Sequence, residues 1–348
     1  MIIKKIYILI ISSLVVMFVF LPNISCDGVI RGLLISANVV IPSLFPFTVC
    51  VLIIIKLNIN LNNTFITKIT KKFFGLNDVM FFVFILSLIG GYPIGAKLLN
   101  ELYVKKSIDK KSLNIMQIYC VNAGPTFVIS AIGTGVFKSI EIGYALYSSH
   151  IISSLIIAFL FGFKLKKHKI FIQKNNYVNK SFSNIFIESV TDATSSVLNI
   201  CAFITVFSAL NACADYIFCD LSIIKHITLF TEVTTSIFKY KNIYLTSFLL
   251  GFAGLSVWCQ VFSFLKENIN YIFFITGRII HGFLSVIILK IILCVFKIKT
   301  STLGDLNLQY KSFYTSQTLS ISIFIMLMVL IAFIYSKNNS GKIIKDMI

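Results

Sequence analysis

The chain has 348 residues, of which 57% are hydrophobic and 13% charged, and its mean hydropathy is +0.92. Soluble globular chains carry about 25% charged residues, so there is too little polar sequence here to cover a water-facing surface, and that class is excluded. A formal charge of +18 would suggest nucleic acid in a soluble protein, but these lysines sit in short clusters between apolar blocks, the pattern of positive-inside loops, and no nucleic-acid partner is expected.

Apolar runs such as Ile6–Leu21, Tyr144–Phe163, Leu284–Phe296 and Leu319–Tyr335 approach or reach the length of about 20 residues that crosses a hydrocarbon core. Inside lipid the backbone must satisfy its own hydrogen bonds, so each run reads as helix. The expected fold is an all-α polytopic membrane protein with about seven to eight spanning helices, plus broken or re-entrant hairpins, arranged as two inverted repeats.

In chain order, Lys4 and Lys5 place the N-terminus in the cytoplasm. The first span covers residues 5–22 and is uncleaved, since no A-x-A site follows. A small external loop holds Cys26 and Asp27. A second span at 29–55 returns to a loop at 56–77 with Lys56, Lys68, Lys71 and Lys72. Segment 78–103 cannot simply cross, because Lys105, Lys106, Lys110 and Lys111 would then lie outside. Gly90-Gly91-Tyr92-Pro93-Ile94-Gly95 offers the solution. Proline removes a donor and glycine adds freedom, so the helix breaks and turns back as a re-entrant hairpin. A span at 113–137 exits, Gly143–Phe163 returns, and the loop 164–182 carries six lysines inside.

The second half reads as a diverged copy of the first, with Leu34–Phe47 falling on Val197–Leu210 and Gly91-Tyr92-Pro93 on Gly254-Leu255-Ser256 at one common offset. All five prolines lie in the first copy, and the second bends instead with Gly251, Gly254, Gly277 and Gly282. The expected domains are an N-terminal transmembrane repeat at 1–163, a basic cytoplasmic loop at 164–182, a C-terminal transmembrane repeat at 183–298, and a loop, last span (318–336) and tail at 299–348. Segment 214–242 reads as an external loop or a short second hairpin, and Lys239 and Lys241 fit the external position poorly.

Three helix breaks stand out: Gly90–Gly95, Asn122-Ala123-Gly124-Pro125 and Gly251–Ser256. At each, a half-helix begins near mid-membrane, with Pro93 and Pro125 suited to its first turn and Asn122 and Ser256 able to cap it. Helix N-termini carry partial positive charge and unpaired N–H groups, so several meeting at depth form an anion site; the structural alternative is tight packing or a kink. Lys97, Arg278 and His281 are candidate buried polar groups. A charge at depth costs about 3 kcal/mol on insertion scales, so it faces a cavity or a partner; Glu101 and Glu232 are possible partners for the two cations. Glu232 itself is a cation or proton site, or a capping carboxylate. The candidate substrate-binding set is Gly91, Tyr92, Pro93, Gly95, Lys97, Asn122, Gly124, Pro125, Glu232, Thr234, Ser256, Gln260, Arg278 and His281.

Catalytic and metal patterns are missing from the sequence. Gly90–Lys97 is superficially like a phosphate-binding loop, but the Gly-to-Lys spacing is off by one and Leu98 stands where Ser or Thr is needed. H-E-x-x-H and G-x-S-x-G do not occur, and the eight cysteines are scattered without a C-x-x-C pair. No enzyme activity, metal or cofactor is expected.

Gly91-Tyr92-Pro93-x-Gly95-Ala96-Lys97, followed by Asn122-Ala123-Gly124-Pro125-x-Phe127-x-Ile129-x-Ala131-x-Gly133-x-Gly135, resembles the sporulation integral membrane protein family typified by YlbJ, in the nucleoside-recognition or Gate-domain group. Glu232-Val233-Thr234-Thr235, Gly254-Leu255-Ser256-Val257-x-x-Gln260-Val261 and Arg278-Ile279-Ile280-His281-Gly282 are similar to that family's second-half motifs. Ser236 and Trp258-Cys259 depart from its pattern. The resemblance implies a stage V sporulation role: carrying dipicolinic acid from mother cell to forespore across the outer forespore membrane. Dipicolinate is a small aromatic dianion. Half-helix N-termini with Lys97 and Arg278 would complement its carboxylates, and Tyr92 would stack on its ring. The alternatives are a nucleoside-type or ion-coupled carrier, and a membrane scaffold for spore assembly. With no ATP-binding motif in the sequence, energy would come from a gradient, from trapping or from another subunit. Coupling ion and oligomeric state are left open.

Overall fold

The structure is a computed structural model that describes residues 2–57, 70, 72–76, 78–162, 165, 181–219, 227–265 and 269–298. Most lysines of the two expected cytoplasmic loops, Asp220, and the last span and tail lie outside these residues. What is described is helical throughout. In order come α1 (Ile2–Phe20), α2 (Pro22–Ile35), a π-helical stretch (Ser36–Val40), α3 (Ile41–Lys56), α4 (Asp78–Gly90), α5 (Tyr92–Val104), α6 (Lys110–Met116), a second π-helical stretch (Thr126–Val136), α7 (Ile140–Gly162), α8 (Phe182–Ile217), α9 (Val233–Tyr240), α10 (Ile243–Phe252), α11 (Gly254–Leu265) and α12 (Tyr271–Val295).

Five of these helical segments are long and apolar enough to cross a membrane: Pro22–Lys56, Ile140–Gly162, Phe182–Ile217, Ile243–Leu265 and Tyr271–Val295. Their outward faces carry large apolar side chains such as Leu160, Leu198 and Ile291, each more than half exposed. A chain with such faces on so many helices is a multi-pass membrane protein, and those side chains meet lipid.

The expected loop at Cys26 and Asp27 does not form. Only Leu21 separates α1 from α2, and both residues lie inside α2. Pro22 explains the early start, because its missing N–H costs nothing in a first turn. The helix then runs without interruption to Lys56 past Pro42 and Pro46. The π-helical turn just before these prolines widens the ladder locally, which accommodates residues that cannot donate to it.

This long segment packs antiparallel on α8. A side chain on Gly28 would strike Ala209, and one on Gly32 would strike Thr205, while at the other end Lys56 pairs with Glu188 at 3.4 Å and Asp192 at 2.8 Å. Glycines four residues apart let two backbones approach, the usual small-residue seam of membrane helices. Each partner is 35–36 residues long, or about 53 Å at 1.5 Å per residue.

Two breaks fall at positions that the expected copies pair with each other. Gly91 has φ +85° between α4 and α5, and Gly254 has φ +62° at the start of α11. Both conformations are readily open only to glycine. The first break therefore falls at Gly91 and not at Pro93, which sits in the first turn of α5. Between α6 and the second π-helical stretch, residues 121–124 leave the helix, so the expected break at Asn122–Pro125 is present. In segment 214–242, α8 continues to Ile217 and α9 begins at Val233, and Lys239 is accounted for by an ion pair with Asp215 at 2.7 Å.

Candidate functional site

The breaks create helix ends buried inside the protein, and each end needs partners. At the carbonyl ends, Tyr147 donates to the Leu88 carbonyl at 3.1 Å, Tyr92 to that of Leu250 at 2.9 Å and Trp258 to that of Phe252 at 2.8 Å. The guanidinium of Arg278, which is 0% exposed, donates to the carbonyls of Ile118 and Val121 just past α6. Those carbonyls carry the negative end of a helix dipole and compensate a buried cation. Arg278 is thus a cap on the broken segment, not a partner of Glu101 or Glu232.

The amide ends are treated differently from one break to the next. The Ser256 N–H donates to Thr231 at 2.8 Å and the Leu255 N–H to Phe230 at 2.9 Å, so the start of α11 is closed by protein carbonyls and offers no anion site. Ser256 lies inside α11, where its hydroxyl stands 3.5 Å from the Gln260 amide, and it does not cap. The start of α9 is closed by its own carboxylate, because Glu232 accepts from the Thr234 N–H at 3.0 Å and the Thr235 N–H at 2.5 Å. Glu232 therefore takes the capping geometry. Asn122 does not cap either: its amide donates to the Ser87 hydroxyl at 3.1 Å and the Tyr119 carbonyl at 2.7 Å.

The first turn of α5 and the stretch after Gly124 remain, and no side chain caps either; Gly91, Tyr92, Pro93 and Gly124 border one buried cavity of about 30 Å³. That is room for about two waters. Gly91, Tyr92, Pro93, Gly124, Glu232, Thr234 and Gln260 all line it. These seven candidates, dispersed in sequence from Gly91 to Gln260, meet at one point. The rest of the wall is apolar, from Val40 and Leu44 on the first long helix and Ile200 and Ile204 on α8.

The other seven candidates lie elsewhere. Lys97 donates to the Ser196 hydroxyl at 3.3 Å, away from the cavity. Gly95 is a packing position, its missing side chain replaced by the carbonyl of Cys120. Pro125 precedes the second π-helical stretch, and Asn122, Ser256 and Arg278 hold backbone as described. His281 contacts the His150 carbonyl through Nε2 at 3.1 Å, and the two rings stack with centroids 4.5 Å apart. His150 in turn accepts the Ala123 N–H at 3.1 Å, so it holds the broken segment from α7. Sequence reading missed it, since a single histidine in an apolar helix carries no spacing signal. Among the described residues no cation lines the small cavity.

Glu232→Gln is expected to leave one of the two N–H groups facing an amide donor, costing about 1–2 kcal/mol, the scale of a lost cap. Thermal unfolding of the purified protein reads the loss, and hydrogen exchange should rise within Val233–Tyr240. Unchanged exchange there would refute the capping role.

Over 308 residues, 75% of this chain and 76% of the relative, the sequence is 22% identical to the sporulation integral membrane protein YlbJ of Bacillus subtilis (strain 168). No family model matches the chain, and no solved structure matches it.

Proposed function

We propose that this protein is a sporulation membrane transporter or facilitator for a small organic dianion, dipicolinic acid, moving it from mother cell to forespore across the outer forespore membrane. The observation that carries the reading is the meeting of two half-helix starts that no side chain caps, at Gly91–Pro93 and Gly124, around one buried cavity. Their partial positive charge suits a carboxylate. The similarity to a relative named for sporulation and for the membrane supports the biological setting. We read the two halves as inverted repeats: the long helices lie antiparallel, and the glycine breaks recur at paired positions. The cavity is far smaller than a pyridine ring with two carboxylates, so substrate enters only when the surrounding helices part.

A nucleoside-type or ion-coupled carrier is the second reading. It is favoured by the make-up of the cavity, where Glu232, Thr234 and Gln260 are polar and no described lysine or arginine contributes. A neutral polar ligand, or a cation, fits that lining without help from the flanking helix ends.

Liposomes containing the pure protein separate these readings. Saturable, protein-dependent uptake of labelled dipicolinate is expected. Uptake of a nucleoside with none of dipicolinate would overturn the first reading in favour of the second, and uptake of neither would favour a scaffold.

A further inference from the structure

A larger cavity, of about 290 Å³, lies beside the first. Both are held between the same long helices. On the first helix Ile35 lines the larger cavity and Val40 the smaller; on α8, Ser208 lines the larger and Ile204 the smaller. Four or five residues of helix correspond to about 6–8 Å along the axis, so the two spaces lie in series. On the first helix the π-helical turn Ser36–Val40 spans the step from one to the other, and such turns are frequent at functional sites. The first turn of α9 stands between them, with Thr234 on the inner side and Thr235 and Ser236 on the outer.

The larger cavity has what the smaller one lacks. Arg31 and Lys239 line it against one carboxylate, Asp215. Among the described residues Arg31 has no ion-pair partner. Ser208, only 5% exposed, also lines this space, with its hydroxyl packed against Gly32. The α9 partition is tied at both ends: Thr231 donates to Asn211 at 2.5 Å, and Lys239 pairs with Asp215 at 2.7 Å. The Lys239 side chain is 53% exposed, and an exposed pair is weak and readily exchanged for another anion.

We propose that the larger cavity is a vestibule that takes small organic anions on Arg31 and Lys239, and that the first turn of α9 is the partition between it and the inner site. The vestibule supplies the cationic charge missing from the inner cavity. An anion that draws Lys239 from Asp215 unlatches α9 and opens the way inward. This rests on the transport reading for its direction, but not for its test.

The test is cysteine reactivity in nanodiscs, where both faces meet water. The parent protein has its exposed cysteines, Cys26, Cys219 and Cys294, replaced by serine. A water-soluble maleimide should label T235C at least tenfold faster than T234C, with V257C as a second inner reporter. Adding D215N should raise labelling of both inner cysteines several-fold and leave T235C unchanged. Dipicolinate, and isophthalate as a dicarboxylate without the ring nitrogen, should slow T235C labelling several-fold, and R31Q should remove that protection. Equal reactivity of inner and outer cysteines, or no response to D215N, overturns the partition. Failure of both anions to protect overturns the vestibule. Protection by isophthalate, alongside liposomes that take up no dipicolinate, supports the vestibule and sinks only the transport reading.

Discussion

Arg278→Met is expected to be among the most damaging single substitutions in the protein, and to act through folding before it acts through transport. The side chain is fully buried, and its guanidinium satisfies the carbonyls of Ile118 and Val121. Methionine fills similar volume but leaves both carbonyls unpaired in an apolar interior, at about 1–3 kcal/mol each. A loss of about 2–6 kcal/mol is comparable to the whole stability of many domains. The segment freed would be 117–124, which carries Gly124 to the cavity. Lysine cannot present two donors in a fixed fork, so Arg278→Lys should fall between the two. Thermal unfolding followed by size-exclusion chromatography reads the effect. A Met variant that unfolds like the wild type but no longer carries dipicolinate would return Arg278 to the role of substrate ligand.

Gly95→Ala should be comparably severe, and for a different reason. A methyl group there would collide with the carbonyl oxygen of Cys120 and lie 2.9 Å from the Ser87 side chain. Backbone cannot yield as a flexible side chain can, so α5 would have to move off the broken segment, and overpacking of this kind costs about 3 kcal/mol or more. Gly124→Ala is the informative contrast. Its nearest neighbours are the Ile89 carbonyl oxygen at 3.3 Å and Leu44 at 3.5 Å, so the methyl group needs a shift of only a few tenths of an ångström and should cost far less than at Gly95. That methyl would enter a cavity of only about 30 Å³, and uptake should fall while stability holds. If Gly95→Ala proves stable, the close approach of α5 to residues 117–124 is wrong. If Gly124→Ala transports normally, the inner cavity is not on the path.

The contrast also marks what could be read in the sequence. Glycine and proline inside apolar runs locate the breaks at Gly91, Gly254 and 121–125, because they act on the local ladder whatever surrounds them. That logic singles out Gly91, Pro93 and Gly124 among the seven candidates that line the cavity; Glu232 stands out as a charge at depth, and Thr234 and Gln260 through the resemblance of their motifs. Charged residues were a different matter. Whether Arg278 or Lys97 faces a ligand, a carboxylate or a carbonyl depends on which helix end lies across from it, and that is decided only by packing. The same holds for the start of α11, where a promising N-terminus is filled by the carbonyls of Phe230 and Thr231. Asp27 suggested a loop, yet one polar residue in a helix begun by Pro22 is not enough to end it. The seam at Gly28 and Gly32 has a sequence signature, but its partner on α8 does not.

The second break carries its own reporter. Trp258 is the single tryptophan of the chain. It is 7% exposed, its indole N–H is fixed on the carbonyl that ends α10, and its ring lies 4.8 Å from that of Phe252. Tryptophan emission from the unlabelled protein, excited at the red edge where tyrosine does not absorb, therefore comes from this one site. If helices 243–252 and 254–265 change their angle when a ligand binds, the indole must exchange its carbonyl partner or meet water, and the fluorescence maximum will move to the red. Ligand titrations and stopped-flow kinetics are open to this protein without a dye or an engineered label.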